Sequence, residues 1–125
     1  MRKRPTSAEL DILQVLWSRG PCTVREVHAE MSAERPTGYT TVLKLMQIMA
    51  GKNLVERDET ERAHVYRPRV PKDRTQAQLV RDLVDRAFGG SASRLVMHAL
   101  SSKRATAAEL AEIRRVLDDM EGGRT

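Results

Sequence analysis

Apolar residues recur at helical spacing along most of this chain, and one short pair of alternating segments near the middle breaks the pattern. The first helix is expected over Ser7 to Arg19, with Leu10, Leu13, Leu16 and Trp17 on one face. A second covers Val24 to Ser32, with Val24, Val27 and Met31 as its stripe, and a third covers Tyr39 to Lys52. In the third, Val42, Leu45, Met46 and Met49 should face inward, leaving Thr40, Thr41, Lys44, Gln47 and Gly51 on the opposite face. Three helix starts carry the same signature: Thr6-x-x-Glu9, Thr23-x-x-Glu26 and Thr106-x-x-Glu109. In such a capping box the Thr hydroxyl accepts from a backbone N–H one turn on, and the Glu reaches back. Gly20-Pro21 stops the first helix, and Arg35-Pro36-Thr37-Gly38 separates the second from the third.

After Gly51-Lys52-Asn53 the period changes. Leu54 to Arg57 reads as a strand, Asp58 to Glu61 as a polar turn, and Ala63 to Arg67 as a returning strand. Helix, helix, helix and β-ribbon is the order of a winged helix-turn-helix: one helix enters the DNA major groove and the ribbon grips the backbone. Pro68 and Pro71 bracket a boundary near Val70. Beyond it the chain looks wholly helical, over Asp73 to Phe88, Ser91 to Ser101 and Ala107 to Met120, with Gly89-Gly90 as a break. The expected fold class is therefore mainly α with a small β-hairpin. Residues 1–70 form a winged-helix DNA-binding domain and residues 71–125 a helical dimerisation domain. Leu79, Leu83, Val84 and Phe88, then Leu95 and Val96, then Leu110, Ile113 and Leu117 form apolar stripes wider than one small neighbour requires. They are the expected dimerisation residues.

Composition sharpens this only in part. A chain of 125 residues suits one domain or two small ones, and a unit of about 60 residues is marginal in buried surface when it folds alone. The net charge of +5 splits as +3 up to Val70 and +2 beyond, a modest surplus that suits a polyanion. One cysteine, Cys22, excludes an intrachain disulfide and a cysteine-based metal cluster. Beside a helix start it is either a thiol of lowered pKa or a small buried packing residue. His28, His64 and His98 are scattered over different elements and suit structural roles better than a metal site. The basic opening Met1 to Arg4 leads into no apolar signal core, and no run approaches the ~20 apolar residues of a membrane span, so a cytoplasmic protein without membrane insertion is expected. No catalytic constellation is present, and no enzyme activity, cofactor or metal is expected.

Candidate chemistry therefore centres on DNA. Thr40, Thr41, Lys44 and Gln47 offer hydroxyl, ammonium and amide groups suited to base edges, and no acid lies between Pro36 and Val55. A solvated helix face that merely lacks acids is the bland alternative, since Arg86 to Ala108 is acid-free as well. Arg35, Arg57, Arg62 and His64 are the expected backbone contacts. The turn Asp58-Glu59-Thr60-Glu61 is acidic, which favours Arg62 and His64 at its shoulder over the apex. The rival function is a protein–protein interaction module that uses the apolar faces of the C-terminal helices.

The sequence also resembles the penicillinase-repressor family (BlaI/MecI/CopY). The likeness runs from about Ser7 to Met120 and rests on the Leu-Trp-x-x-Gly-Pro turn, the Tyr-Thr-Thr-Val helix start and the Tyr-Arg-Pro strand end. It implies a homodimer bound through its winged helices to a palindromic double-stranded operator, repressing transcription of a resistance or stress-response operon. Thr40, Thr41 and Lys44 match the family's reading positions, and Arg62 matches its wing arginine. The β-lactam branch implies a membrane sensor protease system as a candidate partner, with release by cleavage of an Asn-Phe bond. Here the matching pair is His98-Ala99, a departure from that site. The copper-sensing branch carries a C-terminal cysteine pattern that this chain lacks.

Overall fold

Helix capping divides the chain in the computed structural model, which describes residues 4–123. Met1 to Lys3 of the basic opening, and the last two residues of the tail, lie outside the described residues. The elements are α1 (Ser7–Arg19), β1 (Cys22–Thr23), α2 (Val24–Glu34), α3 (Tyr39–Gly51), β2 (Val55–Asp58), β3 (Val65–Pro68), α4 (Lys72–Ala87), α5 (Ala92–Ser102) and α6 (Ala107–Glu121). All three Thr/Glu capping boxes form, at α1, α2 and α6. The third helix ends through Asn53, which takes φ 65°, a left-handed conformation that Asn tolerates better than most residues. Its neighbour Leu54 then donates back to the Met49 carbonyl at 2.9 Å and the chain turns into β2.

The expected hairpin is one strand short of the sheet that forms. Three antiparallel strands lie in the order β1-β3-β2, with Cys22 opposite Tyr66 and Arg57 opposite Tyr66 on the other side. The strands of the ribbon also begin later than expected, at Val55 and Val65, so Leu54 and Ala63 lie outside them. Thr23 ends β1 and at the same time caps α2.

The N-terminal unit, Met1–Ala77, holds the core. Ile12, Leu13 and Leu16 of α1 meet Val24 and Val27 of α2, Val42, Met46 and Met49 of α3, and Cys22, Leu54, Val55 and Tyr66 around the sheet. Ile12 replaces Leu10 and Trp17 at the centre of the α1 face, and those two are only partly buried; Met31 and Leu45 are likewise partly buried. Trp17 instead donates its indole N–H to the Val70 carbonyl at 3.0 Å, tying the end of the ribbon to α1. The unit extends past Val70 into α4, where Thr75 is buried and its hydroxyl donates to the Pro71 carbonyl at 2.8 Å.

The C-terminal unit, Gln78–Thr125, is built differently. No residue of α5 or α6 is buried, and Val80, Leu83, Val96, Met97, Leu100, Val116, Leu117 and Met120 are between 39 and 68% exposed. No helix among the described residues is long and apolar enough to cross a membrane.

Candidate nucleic-acid interface

Burial of Val42, Met46 and Met49 fixes the rotation of α3, and the other face is set by helical geometry. Thr40, Thr41, Lys44 and Gln47 are all exposed on it. Ile48, 46% exposed, shares that side and was not expected there. Gly38 is the N-cap of α3 and supplies no side-chain cap, unlike the threonines at α1, α2 and α6. The connector is held from α2 instead: His28 Nε2 donates to the Thr37 carbonyl at 2.7 Å, and the Ser32 hydroxyl donates to the same oxygen at 3.3 Å. The His28 ring also meets the Tyr39 ring edge-on, with centroids 5.6 Å apart.

Lys52 departs from the α3 surface altogether. Its ammonium donates to both carboxylate oxygens of Glu9, at 2.9 and 3.0 Å, and the Glu9 side chain is only 2% exposed. Glu9 also accepts from the Thr6 N–H at 2.9 Å, so one buried carboxylate caps α1 and anchors the C-terminal end of α3. From the sequence Glu9 read only as a capping residue; its partner is far away in the chain and no local signal could point to it.

The acids of the ribbon tip are partly paired with arginines of the ribbon itself. Arg57 is paired with Glu59, Nε donating to Oε2 at 2.7 Å, and the Tyr66 hydroxyl and that carboxylate together hold the guanidinium firmly protonated. Asp58 accepts from the Thr60 N–H at 3.0 Å and from its hydroxyl at 2.8 Å, which builds the turn and lowers the Asp58 pKa; Arg67, 3.8 Å away, adds to the effect. Among the described residues neither Arg62 nor His64 has an ion-pair partner, and both are exposed at the shoulder of the turn. Arg35 meets Asp11 at 3.4 Å across an exposed surface, a contact weak enough to exchange. The structure thus presents Thr40, Thr41, Lys44, Gln47, Arg62 and His64 as free groups, whereas Arg35 and Arg57 come with carboxylates attached.

Cys22 is a packing residue. It is 2% exposed, its thiol donates to the Gly20 carbonyl at 3.3 Å, and burial raises its pKa, so the lowered-pKa alternative is overturned. His98 lies against Phe88, ring centroids 5.5 Å apart.

A three-helix core followed by an antiparallel ribbon defines the N-terminal unit as a winged helix. The same fold occurs in the solution structure of the DNA binding domain of the repressor BlaI, with a TM-score of 0.51 at 24% identity over 58% of this chain and 90% of that one. The model of the penicillinase repressor family matches residues 5–119. Over 117 residues the chain is 38% identical to the transcriptional regulator BlaI of Mycobacterium tuberculosis, covering 92% of this chain and 83% of that protein. It is 20% identical over 113 residues to the penicillinase repressor of Staphylococcus aureus, covering 90% of each. The chain belongs to the penicillinase repressor family, whose members are transcriptional repressors and not enzymes.

Proposed function

We propose that this repressor acts as a homodimer on a two-fold symmetric DNA operator. Thr40, Thr41, Lys44 and Gln47 read base edges in the major groove, while Arg62 and His64 hold the backbone beside it, joined by Arg35 and Arg57 once their carboxylate partners exchange. The observation that carries the reading is the exposed, acid-free face of α3, together with Arg62 and His64 exposed without ion-pair partners at the ribbon's shoulder. The second copy is supported by the C-terminal unit, which leaves Leu83, Val96 and Leu117 exposed and its other apolar side chains at most half-buried within one chain. Leu79, Leu83, Val84, Phe88, Leu95, Val96, Leu110, Ile113 and Leu117 belong to that face. Dimer geometry would set the half-site centres about one DNA turn, or a multiple of it, apart.

A membrane sensor protease remains the candidate upstream partner, and exposed α5, which carries His98-Ala99, is the segment such an enzyme would have to reach. The test is a band shift on the DNA preceding the gene, repeated over a salt series and paired with sedimentation. A retarded complex of two chains per site, weakening steeply with salt, is expected. A monomer in sedimentation, or retardation indifferent to sequence, would overturn the dimer or the operator reading respectively.

A further inference from the structure

Two donors of α2 converge on a single backbone oxygen at the entrance to α3, and the groups that meet there belong neither to the core nor to the reading face. His28 Nε2 lies 2.7 Å from the Thr37 carbonyl and the Ser32 hydroxyl 3.3 Å from it. A carbonyl can only accept, so the proton of a neutral His28 must sit on Nε2. The connector is stiffened further by the Thr37 hydroxyl, which donates to the Arg35 carbonyl at 3.1 Å.

The next residues of the chain explain why the oxygen needs holding. Gly38 caps α3 without a side chain, and the first backbone bond of the helix is the Val42 N–H to the Gly38 carbonyl at 3.2 Å. The first turn, which carries Thr40 and Thr41, thus lacks the reciprocal box that fixes α1, α2 and α6. Core burial begins only at Val42, so packing fixes the rotation of α3 but does not close over its first turn. The Thr37 carbonyl lies immediately before the cap, and trans peptide planarity makes its direction dictate that of the Gly38 N–H.

We infer that His28, assisted by Ser32, is a positioning residue for operator recognition, holding the Thr37 carbonyl so that the first turn of α3 presents Thr40 and Thr41 in one fixed geometry. The inference rests on the proposed reading of DNA through α3. His28 touches no base; it acts by restraining groups that do, in the way a supporting hydrogen bond preorganises a binding residue.

The test uses the full chain and two DNA probes: the tightest duplex selected from a random library, and a scrambled duplex of the same composition. His28→Leu should lose about tenfold in affinity for the selected duplex, the scale of one net hydrogen bond, with scrambled-duplex binding and its salt slope unchanged. His28→Gln, which keeps a donor near the Nε2 position, should recover most of the loss. Ser32→Ala should show a smaller loss of the same kind, and hydrogen exchange of the Val42 amide should quicken in His28→Leu. The inference is overturned if His28→Leu binds the selected duplex like the wild type. It is equally overturned if both probes weaken in proportion to a lowered Tm, or if His28→Gln is no better than His28→Leu. Should His28→Leu fail to fold, His28→Gln and Ser32→Ala decide by the same two probes. A wild-type chain that selects no sequence at all removes the underlying DNA reading, an outcome visible before any variant is made.

Discussion

Lys44 in the middle of α3 and Lys52 at its C-cap are two lysines of one helix with opposite surroundings. Lys44 is exposed with no acid nearby in the chain, whereas Lys52 is clamped by both oxygens of Glu9. Replacing Lys44 with Ala should cost about 1–3 kcal/mol of operator affinity if it meets a base edge, and leave thermal stability unchanged. Equal affinity for the variant and wild type in a titration would remove Lys44 from the reading set. Lys52→Met should instead lower unfolding free energy by about 1–3 kcal/mol, because it strands a buried carboxylate that retains only the Thr6 N–H. Denaturant melts measure it, and restoring stability with Glu9→Gln in the same chain would identify the stranded charge as the cause. The two roles were not equally legible. Lys44 is placed by helical spacing alone, but the fate of Lys52 depends on a residue from another helix, and a charged side chain near a helix end looks the same in sequence whether it is free or anchored.

Among the elements, helices were legible because their ends are written locally. Thr and Glu three residues apart mark three starts, and Gly20-Pro21 and Gly89-Gly90 mark stops, so predicted and observed bounds differ by a residue or two. β1 was not legible. It has two residues, too few for any alternation, and it exists only because β3 lies alongside to pair with it. The acidic apex was legible, but its internal contacts were not: folding places Arg57 on Glu59 and makes Asp58 the acceptor of the Thr60 N–H. That last contact makes a pH prediction. The Asp58 pKa is lowered in the folded chain, so its stabilising effect is complete above the ordinary carboxylate value of about 3.9 and is lost as pH falls through the lowered one. An NMR titration should show the Asp58 midpoint below that of a free Asp, with the Thr60 amide shift tracking it. A midpoint at or above the free value would mean the turn is not held by this carboxylate.

For the whole molecule, the contrast between the two units is the main fact. One encloses a dozen buried apolar side chains; the other buries none fully and leaves Val80, Leu83, Val96, Leu100, Val116 and Leu117 exposed. The sequence showed that the stripes on α4 and α6 were broad, but a single chain cannot show what covers them. On the dimer reading, Leu83→Glu with Leu117→Glu should yield a monomer by sedimentation and abolish retardation of an operator duplex, with the secondary structure of the N-terminal unit intact by circular dichroism. A dimer that persists in this variant would place the interface elsewhere.

The Arg57–Glu59 pair has a consequence for how affinity is measured. Salt dependence counts ions set free when a protein cation replaces those condensed on DNA, with a slope of about −0.9 per phosphate neutralised. Arg57 arrives already matched to a carboxylate on its own ribbon, so an exchange of Glu59 for phosphate adds a negative group to the interface as it removes one. Counting phosphate contacts from the slope would then understate them. Glu59→Gln should both tighten binding and steepen the slope, by about one unit for each ribbon engaged. An unchanged slope would show that Arg57 neutralises no phosphate with or without its glutamate, and would remove it from the backbone contacts.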